Sequence, residues 1–122
     1  GNRVAIAVVA RGRVGVDIQE PGDRYSGLLE KLRHPDETEL FPGKRDFLRM
    51  WTLKESISKA IGTGLAENFE THCNQAAELG KGKYHCGGWA CRHSVCDGGY
   101  HLATATDMSR MPVAPVSLTS LA

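Results

Sequence analysis

The chain has 122 residues, 41% of them hydrophobic, and its 15 Lys plus Arg against 14 Asp plus Glu leave a net charge of +1. That length supports one hydrophobic core and is short for two, while the near balance of charge removes any electrostatic basis for general nucleic-acid binding. No apolar run approaches the roughly 18 residues of a membrane span, and Val4 to Ala10 is too short and too strand-like for a signal peptide, so a soluble, cytoplasmic protein is expected.

In chain order, Arg3 to Ala10 and Arg13 to Ile18 are β-branched runs on either side of Arg11-Gly12, which predicts a hairpin. A chain that opens directly on a strand points to an upstream portion that has been removed or lies on another chain. After Pro21-Gly22, Asp23 is placed to cap a short amphipathic helix carrying Tyr25, Leu28, Leu29 and Leu32 at helical spacing. His34-Pro35 interrupts it, a polar turn or short helix covers Asp36 to Leu40, and Pro42-Gly43 breaks the chain again.

The main helix is predicted over Arg45 to Ile61, stopping at Gly62-Thr63-Gly64, where glycine suits a C-terminal cap. At 100° per residue, Phe47, Met50, Ile57 and Ile61 form its core stripe, with Lys54 inside the same stripe and able to snorkel its ammonium to the edge. Leu48, Trp51, Glu55 and Lys59 share a neighbouring face, on which Glu55 and Lys59 have the spacing of an ordinary solvated helix ion pair. Lys44, Arg45 and Arg49 cluster at the helix start and, like Arg11 and Arg13, read as a solvated charged surface, although such a cluster would also meet an acidic partner.

Further strands are predicted at Phe69 to Ala76, Tyr84 to Cys86, Trp89 to Val95 and Tyr100 to Thr106, the last two joined by the turn Asp97-Gly98-Gly99. A single domain is expected over residues 1–107, with 108–122, uncharged beyond Met111 and holding two prolines, as a poorly ordered tail. The predicted class is α+β: an antiparallel sheet of four or five strands against one long helix and shorter ones. Cys73, Cys86, Cys91 and Cys96 are expected to be reduced thiols. With His85 and His93 nearby they raise a Cys/His zinc module as a reading, but the C-x-x-C knuckle is missing, and on a strand Cys91 and His93 face one way while Cys96 faces the other.

Two segments carry the chemistry. Val14-Gly15-Val16-Asp17-Ile18-Gln19-Glu20 places an acid at a strand end, and Trp51-Thr52-Leu53-Lys54-Glu55-Ser56-Ile57-Ser58-Lys59-Ala60-Ile61-Gly62-Thr63-Gly64 fits W-x-x-K-E-(A/S)-x-x-K-x-x-G-x-G in one register. A lone Asp17 would be an ordinary turn former and a lone Trp51 an ordinary core aromatic. Together the segments resemble the two signatures of the 4'-phosphopantetheinyl transferase superfamily, in particular the C-terminal half of its surfactin-synthetase-activating type, and the resemblance covers residues 1–107.

The resemblance implies transfer of 4'-phosphopantetheine from coenzyme A to a serine of an acyl or peptidyl carrier protein, with magnesium, the holo-acyl-carrier-protein synthase reaction. It implies Asp17, Glu55 and Lys59 as catalytic residues, Asp17 and Glu55 as magnesium ligands, and Lys54, Lys59 and Trp51 around coenzyme A, with a carboxylate or a water activating the serine. These residue types suit the task, since breaking a pyrophosphate requires charge neutralisation at its oxygens and magnesium takes a few carboxylates plus waters and phosphates.

Two departures stand out. Where surfactin-type enzymes place a third acidic ligand, two residues after the aspartate, this chain has Gln19, whose carbonyl can coordinate magnesium without adding charge; weaker magnesium binding is expected. Glu20 gives a D-I-x-E arrangement nearer the small trimeric acyl-carrier-protein synthases, but on a regular strand it points the other way. The family's other half and its S-H-S-like segment do not appear, so the cleft calls for the missing half or another copy of the chain. The alternative reading is a degenerate or truncated half-domain that binds coenzyme A or a carrier protein without turnover.

Overall fold

The computed structural model describes residues 3–5, 13–62, 77–107 and 118–120. Glycines and alanines on one sheet face decide how its layers meet. The strands are β1 (Arg3–Ala5), β2 (Val14–Gln19), β3 (Ala77–Gly80), β4 (Lys83–Cys86), β5 (Trp89–Val95), β6 (His101–Asp107) and β7 (Leu118–Ser120). Five of them form an antiparallel sheet in the order β2-β6-β5-β4-β3, and β1 pairs with β7 in a separate two-stranded ladder. The helices are α1 (Leu29–Leu32) and α2 (Phe47–Ile61), with 3-10 turns at Ser26–Leu28, Pro35–Glu37, Lys44–Asp46 and Asp97–Gly99. This is the expected α+β architecture.

Directly paired residues of an antiparallel ladder point to the same face, so the registers Gly15↔Ala105 and Asp17↔Ala103 put two buried alanines beside Gly15 under α2. A Cβ at Gly15 would stand 1.9 Å from the Ser56 carbonyl oxygen and 2.4 Å from the Ala60 nitrogen. Backbone therefore rests on backbone where β2 crosses α2. Phe47, Met50, Leu53, Ile57 and Ala60 of the helix fill the core with Tyr84, Cys86, Trp89 and Cys91 from the same sheet face. Each such large apolar side chain contributes roughly 1.5–3 kcal/mol by leaving water.

Helix α2 ends where the sequence requires. Gly62 is left-handed at φ 88° and its N–H donates to the Ser58 carbonyl at 2.8 Å, a conformation that costs glycine least. The start differs slightly from expectation, because Lys44–Asp46 forms a 3-10 turn in which the Asp46 carboxylate accepts the Gly43 N–H at 3.0 Å. The helix predicted after Asp23 divides into a 3-10 turn and the single turn α1; it is the Asp23 backbone carbonyl that accepts from Ser26, through both N–H and hydroxyl.

Arg49 is not a solvated charge. Its guanidinium donates to the Tyr84 hydroxyl at 2.9 Å, to the Leu40 carbonyl at 2.7 Å and to Asp46 at 3.1 Å, and lies over the Phe41 ring, tying α2 to β4 and to the preceding loop. The predicted strand Phe69 to Ala76, the Arg11-Gly12 turn and Cys73 lie outside the described residues. Within the stretch expected to be a tail, Leu118–Ser120 is strand β7, and Arg3–Ala5 is hydrogen-bonded to it.

Candidate active site

Asp17 lies on the helix-facing side of β2, two residues beyond Gly15, and is only 2% exposed. Its carboxylate accepts from Lys59 Nζ at 2.6 Å on one oxygen and from Gln19 Nε2 at 2.8 Å on the other. A buried carboxylate needs such donors, since stripping it of water without them costs several kcal/mol. Lys59 does not turn back to Glu55 in the helix ion pair that i,i+4 spacing suggests; it crosses from α2 to β2, with its side chain 52% exposed.

Glu55 stands one turn before Lys59 and is half-buried. Burial pushes its carboxyl above the ordinary value, the negative charge of Asp17 adds to the rise, and Lys59 opposes it. Two carboxylates that sense each other across strand and helix, with one ammonium between them, are a local excess of negative charge suited to a cation. Trp51, one turn earlier on the same helix face, is half-buried at the core margin and meets Phe47 edge-on at 5.5 Å between ring centres. Below Gln19 a cavity of about 330 Å³ opens, walled by Ile18, Pro21, Tyr25, Phe47 and Leu48.

Thus the structure brings Asp17, Gln19, Glu55 and Lys59 together and sets Trp51 on the adjoining turn. It does not bring Lys54 to the cleft. Lys54 is 1% exposed, and its ammonium donates to Glu37 Oε1 at 2.6 Å, inside the core. Glu37 is itself fully buried, and the same oxygen accepts the His34 N–H at 3.0 Å. Lys54 thus anchors the His34-Pro35 turn to α2 instead of snorkelling outward. The sequence reading missed Glu37; its one signal is an acid in the first turn after a proline, where it can cap the preceding N–H.

A second cluster also went unread. His93 Nε2 and His101 Nδ1 are 2.9 Å apart on the helix-facing side of β5 and β6. Burial first, then the neighbouring His101 and Arg49, lower His93 to about 4; burial and Arg49 lower His101 as well. Glu20, the alternative acid, lies exposed just past the end of β2. Cys86 and Cys91 are buried in β4 and β5, and among the described residues no group of three His, Cys, Asp or Glu side chains is arranged to hold a metal ion. No described helix is long and apolar enough to cross a membrane.

Comparison with known proteins bears on the same segments. The chain is similar to a holo-[acyl-carrier-protein] synthase of Aliarcobacter butzleri (strain RM4018), 32% identical over 69 residues, which is 57% of this chain and 56% of that protein. The chain thus spans a little over half the length of this curated relative. The model of the 4'-phosphopantetheinyl transferase superfamily matches residues 13–105, a stretch that begins one residue before β2 and includes Asp17, Glu55, Lys59 and all of the five-stranded sheet but the last two residues of β6. With that match over most of its length, the chain belongs to the 4'-phosphopantetheinyl transferase superfamily.

Proposed function

We propose that this protein transfers 4'-phosphopantetheine from coenzyme A to a serine of an acyl or peptidyl carrier protein, in the cytoplasm and with magnesium, and that it is of the surfactin-synthetase-activating type. The observation that carries the reading is the convergence of Asp17, Glu55 and Lys59 from two elements distant in sequence. The donor chemistry fits magnesium, which takes few protein carboxylates and fills its remaining positions with waters and phosphate oxygens. Asp17 and Glu55 would hold the ion, with the Gln19 carbonyl as a neutral third donor; when bound, it neutralises charge on the pyrophosphate.

The chain's own groups do the rest. Lys59, fixed at its root by α2 but half exposed at its tip, can move its ammonium from Asp17 to a phosphate oxygen as negative charge builds there. Trp51 and the cavity beside Gln19 bound the cleft, and a carboxylate or a water accepts the proton of the serine hydroxyl. Lys54 acts on this site through the position of α2, not by touching coenzyme A. The other face of the cleft comes from the upstream half or from a second copy.

One observation favours a second reading, a half-domain that binds coenzyme A or a carrier protein without turnover: both Asp17 oxygens are engaged by the chain's own donors, one of them Gln19 in the place of an acid. Mass spectrometry of an apo carrier protein incubated with coenzyme A, magnesium and this chain decides between them. A phosphopantetheine adduct that Asp17→Ala and Glu55→Ala both abolish supports transfer. Coenzyme A binding by calorimetry with no adduct, even with the upstream half supplied and several carriers tried, supports the binding module.

A further inference from the structure

The sheet face turned away from α2 carries a feature unconnected with Asp17 and Glu55. Two cross-strand rows run over it: Thr106, Ala90 and His85 in one, Thr104, Arg92 and Lys83 in the next. Ala90, flanked by the larger His85 and Thr106, leaves a hole, and a cavity of about 130 Å³ lies there, lined also by Leu79 of β3. That is space for roughly four water-sized groups at ~30 Å³ each. Its wall is mainly apolar, and Leu79 at its rim is exposed.

One feature of this hollow is unfavourable as it stands. Lys83 and Arg92 are direct cross-strand partners, both exposed, and like charges placed opposite each other destabilise a sheet. Among the described residues no carboxylate pairs with either.

An anion relieves this opposition, while the apolar wall beside it asks for a hydrocarbon segment. We propose that this outer face binds a small monocarboxylate with a short alkyl chain, the carboxylate held between Lys83 and Arg92 and the chain seated over Ala90 against Leu79. Charge and shape must act together: a naked anion leaves the apolar wall wet, and an uncharged chain leaves the two cations opposed.

The test is a titration of the full chain with sodium butyrate, followed by amide chemical shifts, beside arms with inorganic phosphate and n-butanol. Because it reads binding and not turnover, its outcome is independent of the transferase reading. Saturable shifts at His85, Ala90, Arg92 and Thr106 with a dissociation constant in the millimolar range are expected, with Lys83→Gln/Arg92→Gln weakening binding about tenfold or more. Ala90→Leu, which fills the hole and leaves both cations in place, removes the response; well-dispersed spectra of both variants confirm their folding. Shifts that do not saturate with butyrate, butyrate binding undiminished in the double variant, or phosphate or butanol binding as tightly as butyrate would each overturn the proposal.

Discussion

Asp17 depends on its neighbours as much as they depend on it. Under the proposed function Asp17→Asn or Glu55→Gln removes one of two anionic magnesium ligands, and the rate of carrier modification is expected to fall at least about a hundredfold in an initial-rate assay. Gln19→Glu acts in the opposite sense by adding a third carboxylate beside Asp17; the magnesium concentration at half-maximal rate should drop, which a metal titration of the rate reads directly. The histidine pair makes a separate prediction. Since His93 titrates near 4 in the fold against 6.5 when free, the unfolded chain takes up the proton first as pH falls. Its contribution to stability is complete above pH 6.5 and is lost between 6.5 and about 4, and His101 adds in the same direction. Melting temperatures measured across that window should fall, and the slope should be smaller in His93→Asn. The meeting of Asp17 with Lys59 and Glu55 was legible in the sequence because two motifs fix their registers. The histidine pair and Glu37 were not, because nothing local tells a residue which side chain from a distant strand or helix it will meet.

Helix α2 is held to its surroundings by contacts of very different character. The Glu37–Lys54 pair lies in the core, so Lys54→Met alone should cost about 3–5 kcal/mol by taking the ammonium away from a buried carboxylate, whereas Glu37→Leu/Lys54→Met should recover much of that loss. Chemical denaturation of the three variants tests the non-additivity. At the crossing with β2 there is no room for any side chain, and Gly15→Ala should destabilise the fold by more than about 4 kcal/mol, or leave it unfolded by circular dichroism. The ends of α2, β5 and β6 were readable because glycines and a clear apolar period mark them. Strand β3 was not, because all four of its residues are exposed and its sequence has no alternation to follow. The pairing of Arg3–Ala5 with Leu118–Ser120 joins chain ends more than a hundred residues apart, beyond the reach of any local rule.

For the molecule as a whole, the α+β class followed from element types, and β3 through β6 form a simple meander whose turns the glycines announce. The placement of β2 beside β6 is non-local, and it is this step that carries Asp17 to α2. The two faces of the sheet then diverge, one closed by the helix and bearing Asp17, the other bearing Lys83, Arg92 and the small hollow over Ala90. Substitutions should divide accordingly: Lys83→Gln/Arg92→Gln is expected to leave the melting temperature unchanged or raise it slightly by removing the like-charge opposition, in contrast to Gly15→Ala and Lys54→Met on the helix side.

The contact at Gly15 has one more consequence, for how the protein tolerates drift. Since β2 and α2 meet main chain to main chain, the span from Asp17 to Glu55 and Lys59 is gauged by peptide units, which all sequences share, and not by side-chain bulk. Exchanges such as Ile57→Leu or Met50→Leu deeper along the helix can accumulate and compensate one another while these three side chains keep their spacing. The site is thereby insulated from the slow turnover of its own core.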